Sequence, residues 1–363
     1  MHIMLDGKRI VNTFLELVKI DSPSGKEENV RKYLEGYLKK LGVKSKKDRY
    51  GNLIAYVPGE GKPAMLAAHM DTVQPGEGIK PVVKGDVIKS DGKTILAVDD
   101  KSGIAAILEA VRYVLENEIA HRSLELVFTR EEEIGLVGAF NLDYKLIKSK
   151  EGMAIDGGDG IGKITIAAPF ITTIGIRVFG KAAHAGVEPE KGINAIAIAS
   201  KAIAGVKWGR IDKETTTNVG VISGGKVRNG VPDLVEIKAE ARSHVQSKMN
   251  KEVQKIKKSF EKAVKRTGAK LEFTAKLECK GYKYDTKDKF IKHLAEIYDR
   301  VGVRMECKKS GGASDANVFA GKGIKVVDVS TGGKGPHTKE ETIKISELEK
   351  NTEFIIEFIM IEQ

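Results

Sequence analysis

Alternation between short apolar runs and stretches of helical periodicity constrains this 363-residue chain more than any other feature. Two opening segments with helical spacing, 5–20 and 25–41, lead into NLIAYV, AMLAAHM, a helical SGIAAILEAVRYVLEN, LELVFT, a helical stretch near 138–148 and EGMAID. A chain that switches repeatedly between these periods folds as an α/β domain, a mainly parallel sheet with helices on both faces. In such sheets function gathers at the carboxyl ends of the strands. Ser24 and Glu27 have the spacing of a capping box ahead of the second helix.

The rhythm changes near Pro169. Between 171 and 279 the chain reads as strand ITTIGIRVF, helix INAIAIASKAIAGV, strands TTNVGVISGG and LVEIKAEARS, a Lys-rich helix over 248–267 and strand LEFTAKLEC. That order lacks a parallel-crossover rhythm and predicts an inserted α+β sandwich. Helix 286–301, the run VRMECK, helix 314–320, the run IKVVDVS and helix 346–360 then resume the first pattern. The expected organisation is a main domain over 1–170 and 280–363, interrupted by a smaller one over 171–279.

Several function classes are set aside. With 41% hydrophobic and 31% charged residues the chain has the balance of a globular protein. No run approaches the ~18 apolar residues of a membrane span, and no leader pattern opens the sequence, so no membrane partner is expected and the expected compartment is the cytoplasm. The formal charge of +11 raises nucleic acid as a partner. The lysines, however, are dispersed among glutamates with no aromatic-interleaved basic block, and no nucleic-acid partner is expected. Cys279 and Cys307 are too far apart for a CxxC motif and read as reduced bystanders. GGDGIGK over 157–163 nearly spells a phosphate loop, but Ile164 stands where Ser or Thr is required. His2, His121, His244 and His293 lie outside every motif and read as surface or helix residues. Trp208 is read as packing within the inserted domain.

Five segments each end an apolar run with metal-competent side chains: His69 to Asp71, Asp99-Asp100, Glu131 to Glu133, Asp156, and His337. Taken singly, each is better explained as a structural or solvated turn residue. Ligands on separate strand ends converge, however, and imidazole with carboxylate suits Zn²⁺ or a similar divalent ion. His69 and Asp71, two residues apart on a strand, face one side, so Asp71 is placed to orient the imidazole. Adjacent Glu132 and Glu133 point apart, which lets one bind metal while the other addresses a water. Asp99-Asp100, at a strand–helix junction, puts a carboxylate where it can bridge two ions.

HMDTV, AVDDKSG, REEEIG, AIDGG and GGKGPH occur in the order and approximate spacing of the dinuclear-zinc exopeptidase family M20, and 171–279 resembles that family's lid. Within the family the chain is similar to the peptidase T-like branch. The related M42 aminopeptidases have a similar metal set, but HMDTV and the position of the lid favour M20. The resemblance implies two divalent ions bridged by Asp99 ahead of a cis Asp99–Asp100 peptide, with His69 and Asp156 completing one site and Glu133 and His337 the other. It implies Glu132 as general base and Asp71 as the residue that orients His69. In the lid, GKAAHAG, NGVP and EARS place His184, Asn229 and Arg242 where the family meets substrate, His184 at the oxyanion and Arg242 as a clamp on a carboxylate or backbone. Zn²⁺ is the implied metal, with Co²⁺ and Mn²⁺ compatible with the same ligands. Pairing of lids implies a homodimer. In SGGASDANVF, Gly311 stands where the peptidase T pattern RGGTD has Arg, which puts tripeptide specificity in question. The expected activity is that of a metalloaminopeptidase on short, tripeptide-like substrates. An N-acyl amino acid deacylase or a carboxypeptidase with the same metals and base is the alternative, and the metal motifs do not separate them. A binding protein without catalysis would lack a ligand or the base, and none is missing.

Overall fold

The structure is a computed structural model that describes residue 3 and residues 5–361, and His2 lies outside the described residues. Two compact units divide the chain: one holds the residues up to Ile166, Tyr284–Lys309 and those from Ser314 on, the other Ala167–Lys283 and Ser310–Ala313.

The first unit is an α/β structure. Its central sheet includes, in order, Lys44–Lys47, Leu53–Val57, Arg122–Thr129, Glu60–His69, Glu151–Ala154, Lys325–Val329 and Lys163–Ala168, the last also pairing with Glu306–Lys309 and Tyr282–Lys283. The middle four strands are parallel. Both edges are antiparallel, and for the first pair the reason is the short turn between 47 and 53, too short for a crossover. Helix Gly7–Val18 buries Ile10, Phe14, Leu17 and Val18, one apolar stripe at helical spacing. It packs with Val98–Glu116 and Ile345–Ile359, the last also meeting Lys289–Arg300. Gly103 is where the long helix reaches the sheet: a Cβ there would lie 2.1 Å from the Ile155 carbonyl oxygen, so only glycine lets the helix come this close to the strand end preceding Asp156. The same unit holds a small antiparallel sheet of Val82–Lys84, Val87–Lys89 and Thr342–Lys344, which the sequence does not announce.

Some local expectations fail for identifiable reasons. Helix Glu28–Lys40 starts without a side-chain cap, because Ser24 Oγ donates to Asp71 and Glu27 accepts from Arg130 and Glu131. Asp99-Asp100 does not follow a strand: the preceding apolar run TILAV is largely buried but not a strand, its Leu96 and Ala97 N–H groups going to the Glu341 carboxylate. The stretch near 138–148 holds one short helix, Val137–Asn141, and a single tight turn, Tyr144–Leu146. His121 is buried, not a surface residue, and bridges to Met360. Both cysteines are free.

The second unit is a five-stranded antiparallel sheet in the order Gly209–Arg210, Thr215–Gly224, Leu234–Ser243, Phe170–Phe179, Lys270–Cys279. Helices Ala195–Ala204 and Gln246–Val264 pack on it. Its core includes Ile174, Ile176 and Val178 from one strand, alternate residues facing the helices, with Ile198, Ile256 and Phe260 opposite. Trp208 packs against this core and donates its indole N–H to the Ile203 carbonyl at 2.9 Å. Among the described residues no helix is long and apolar enough to cross a membrane.

Candidate metal centre and active site

Strand register brings the predicted ligands together. His69 ends its strand opposite Thr129, and the chain continues from Thr129 into Glu131 to Glu133. On the other side Ala67 pairs with Ala154, so His69 and Asp156, each two residues further on, are level. Asp328 lies opposite Ala154 one strand beyond, and the chain leaves that strand towards His337.

His69 Nε2 lies 2.8 Å from Asp99 Oδ1. His337 Nε2 lies 3.2 Å from Asp99 Oδ2 and 3.0 Å from Glu133 Oε1. Asp99 therefore presents one oxygen to each imidazole. Donor atoms of His69, Asp99 and Glu133 all fall within 4.8 Å of one another. Behind the cluster, His69 Nδ1 is 3.0 Å from the Asp71 carbonyl oxygen and 3.3 Å from Asp71 Oδ1. The Asp71 carboxylate also accepts from Glu132 N at 2.9 Å, Glu133 N at 3.2 Å and Ser24 Oγ at 2.7 Å. One carboxylate thus fixes both an imidazole and the acidic turn. The Asp99–Asp100 peptide is cis.

Burial opposes a charged His69, but Asp71 and Asp99 outweigh it and hold the imidazole well above its ordinary pKa. Between Asp99 and Glu133, His337 is pushed up to about 10. Burial would raise Asp99 as well, yet its two histidine partners hold it below the ordinary carboxylate range. Glu132 and Asp156 move the other way, pushed well above that range by burial and then by neighbouring carboxylates. His69, Asp99 and Glu133 form a group that could hold a metal ion, a chemistry that suits a divalent cation; His337 touches two of the three, and the Asp156 charge is felt by His69 and Glu132.

Several contributors escaped the sequence reading. Glu341, 1% exposed, accepts N–H groups from Leu96 at 2.8 Å, Ala97 at 2.7 Å and Asp99 at 3.2 Å. Glu27, also 1% exposed, accepts from Glu131 N at 3.2 Å and Arg130 Nε at 2.7 Å. Asp315 takes a hydrogen bond from Thr129 Oγ1, and its charge reaches Glu132. Asp328 does the same to Asp156. Asp328 had a usable signal, a carboxylate inside the apolar run IKVVDVS.

His184, Asn229 and Arg242 all lie in the second unit. His184 and Asn229 are exposed on two loops tied by a bridge between His184 and Gly230 and by Ala185 N donating to the Asn229 carbonyl at 3.0 Å. Arg242 holds Glu240 with Nε and Nη2, both at 2.9 Å, and its Nη1 reaches the Gly311 carbonyl at 3.4 Å. Its guanidinium is therefore already engaged.

Comparison with known proteins gives this arrangement a context. The model of Peptidase family M20/M25/M40 matches residues 65–361. The chain is 43% identical over 366 residues to the uncharacterized protein YqjE of Bacillus subtilis (strain 168), covering 98% of this chain and 99% of that one. The crystal structure of aminopeptidase PepT from Bacillus cereus ATCC 10987 matches with a TM-score of 0.92 at 40% identity, covering 98% of this chain and 99% of that one. A tripeptidase from Staphylococcus aureus subsp. aureus Mu50 matches with a TM-score of 0.94 at 35% identity, covering 98% of each chain. Fold and acidic–histidine cluster together define a metal-dependent exopeptidase. The chain belongs to Peptidase family M20/M25/M40.

Proposed function

We propose that the protein is a dinuclear metallo-aminopeptidase that removes the first residue of short, tripeptide-like substrates. The observation that carries this reading is Asp99 facing an imidazole with each of its oxygens, beside the acidic turn that bears Glu132. Similarity to an aminopeptidase at 40% identity and a tripeptidase at 35% supports the substrate class. Asp99 would lie between two ions, with His69 and Asp156 on one and Glu133 and His337 on the other. Two divalent ions there, Zn²⁺ before Co²⁺ or Mn²⁺, would supply Lewis-acid polarisation of the scissile carbonyl and a water of lowered pKa. Glu132 takes a proton from the attacking water and returns it to the leaving amine. Asp71 keeps His69 oriented and holds the Glu132 N–H. From the second unit, His184 donates to the oxygen that gains charge, Asn229 contacts the substrate backbone, and Arg242 offers its fork to a carboxylate. The second unit also pairs two copies of the chain. Two free cysteines suit a reducing compartment, in keeping with a cytoplasmic enzyme.

Gly311, standing where the tripeptidase pattern has Arg, keeps a deacylase or carboxypeptidase as the second reading. The deciding experiment offers metal-loaded protein a tripeptide with a free amino end and the same peptide N-acetylated, each with and without chelator. Chelator-sensitive cleavage of the free peptide alone is expected. Cleavage of the blocked peptide alone would replace the aminopeptidase reading by the second one, and cleavage of neither would overturn both.

A further inference from the structure

Two turns carry the acidic groups of the centre, and they are built alike. Each contains a non-glycine residue in the left-handed region: Ala97, with φ 62°, two residues before Asp99, and Glu131, with φ 51°, immediately before Glu132. A Cβ is crowded there, so neither turn is what its own segment would choose locally. Each is met by a buried carboxylate from a distant part of the chain. Glu341 receives three backbone N–H groups from the first turn, Asp99 N among them. Glu27 receives Glu131 N and Arg130 Nε from the second, and Gly25 N from its own. A carboxylate removed from water is costly unless its oxygens are filled. For Glu341 all three of these donors come from the strained turn; for Glu27 the turn supplies Glu131 N, beside the Arg130 guanidinium and Gly25 N.

We propose that Glu341 and Glu27 are positioning residues that hold these turns in their left-handed form, Glu341 aiming Asp99 between His69 and His337, and Glu27 aiming Glu132. The inference rests on reading the cluster as a metal centre. The two braces do not carry equal weight. Glu132 N and Glu133 N are held independently by Asp71, whereas Glu341 is the carboxylate that meets the Asp99 turn. Loss of Glu341 therefore acts on metal binding, and loss of Glu27 on turnover.

The test titrates chelator-stripped protein with Co²⁺, following uptake and the visible absorption that reports its ligand geometry. Glu341→Gln keeps the volume but turns an amide N–H toward backbone N–H groups. It is expected to weaken Co²⁺ binding by about tenfold or more and to alter the spectrum. Ala97→Gly in that background, which removes the crowded Cβ, recovers part of the affinity. Glu27→Gln leaves Co²⁺ affinity nearly unchanged and lowers kcat at constant KM. Ala97→Val, which keeps Glu341 but makes the left-handed turn harder to adopt, weakens Co²⁺ binding and serves if Glu341→Gln does not fold. An unchanged Co²⁺ affinity and spectrum in Glu341→Gln, or a loss that Ala97→Gly leaves untouched, overturns the positioning role. Wild-type protein that takes up no Co²⁺ would instead overturn the metal-centre reading itself.

Discussion

The residues proposed to make up the active site fall into two groups that the chain holds very differently. In the first unit His69 is 2% exposed and Asp71 is fully buried, each with its partners in place; Glu132 is half-buried, and His337, half exposed, is held by Asp99 and Glu133. In the second unit His184 and Asn229 sit exposed on loops, and the Glu240 partner of Arg242 is about one-third exposed, 33%. A buried polar network fixes geometry because any member left unpaired is costly. Exposed loops rearrange at little cost. Chemistry that needs close alignment is thus placed where a network of partners over-determines it, and substrate contact where the chain can adapt.

The sharpest way to break this comparison is Glu132→Ala. The variant is expected to fold and bind metal as the wild type does, while kcat falls by about 10²–10⁴. Metal analysis together with steady-state kinetics checks it. A kcat close to wild type would place the base elsewhere and remove the buried cluster from the chemistry.

His184→Ala sharpens the comparison at an exposed site. A donor to the developing oxyanion is worth about 10²–10³ in kcat, and a histidine on a loop with few constraints should fall at the low end. The metal content should stay unchanged. A loss as large as that of Glu132→Ala, with KM unmoved, would mean that exposure does not measure how well a catalytic group is held.

What the sequence disclosed follows the same division. The alternation of periods disclosed the α/β unit and the inserted antiparallel unit, because each element buries its own apolar face and so carries its own pattern. His69 and the acidic turn of Glu133 were legible because each follows an apolar run that forms a parallel strand, and parallel strands bring their carboxyl ends to one side; Asp99 and His337 were legible from their motifs, although neither ends a strand. Glu341 and Glu27 were not legible as braces of the site, since a hydrogen bond to a remote backbone leaves no local trace. Ser24 and Glu27 even imitated a cap, a motif whose spacing is local while the stronger partners, Asp71 and Arg130, are far along the chain. TILAV misled for the opposite reason: apolarity records burial, and the buried segment has its N–H groups satisfied by a side chain instead of a neighbouring strand.

The smallest effect is expected at Arg242, and there the comparison is tested most finely. Its fork already grips Glu240, and Nη1 reaches the Gly311 carbonyl. A substrate carboxylate would exchange with Glu240 and not meet a free cation, so its gain is the difference between two partly exposed ion pairs, each worth about 0.2–1 kcal/mol. Arg242→Ala should therefore raise KM by no more than about fivefold and leave kcat unchanged. Glu240→Gln should do the reverse, lowering KM by freeing the guanidinium. If Arg242→Ala instead cut kcat a hundredfold, roughly the effect of an oxyanion donor, the second unit would be pre-organised as tightly as the metal cluster, and the contrast between a fixed centre and an adaptable contact surface would fail.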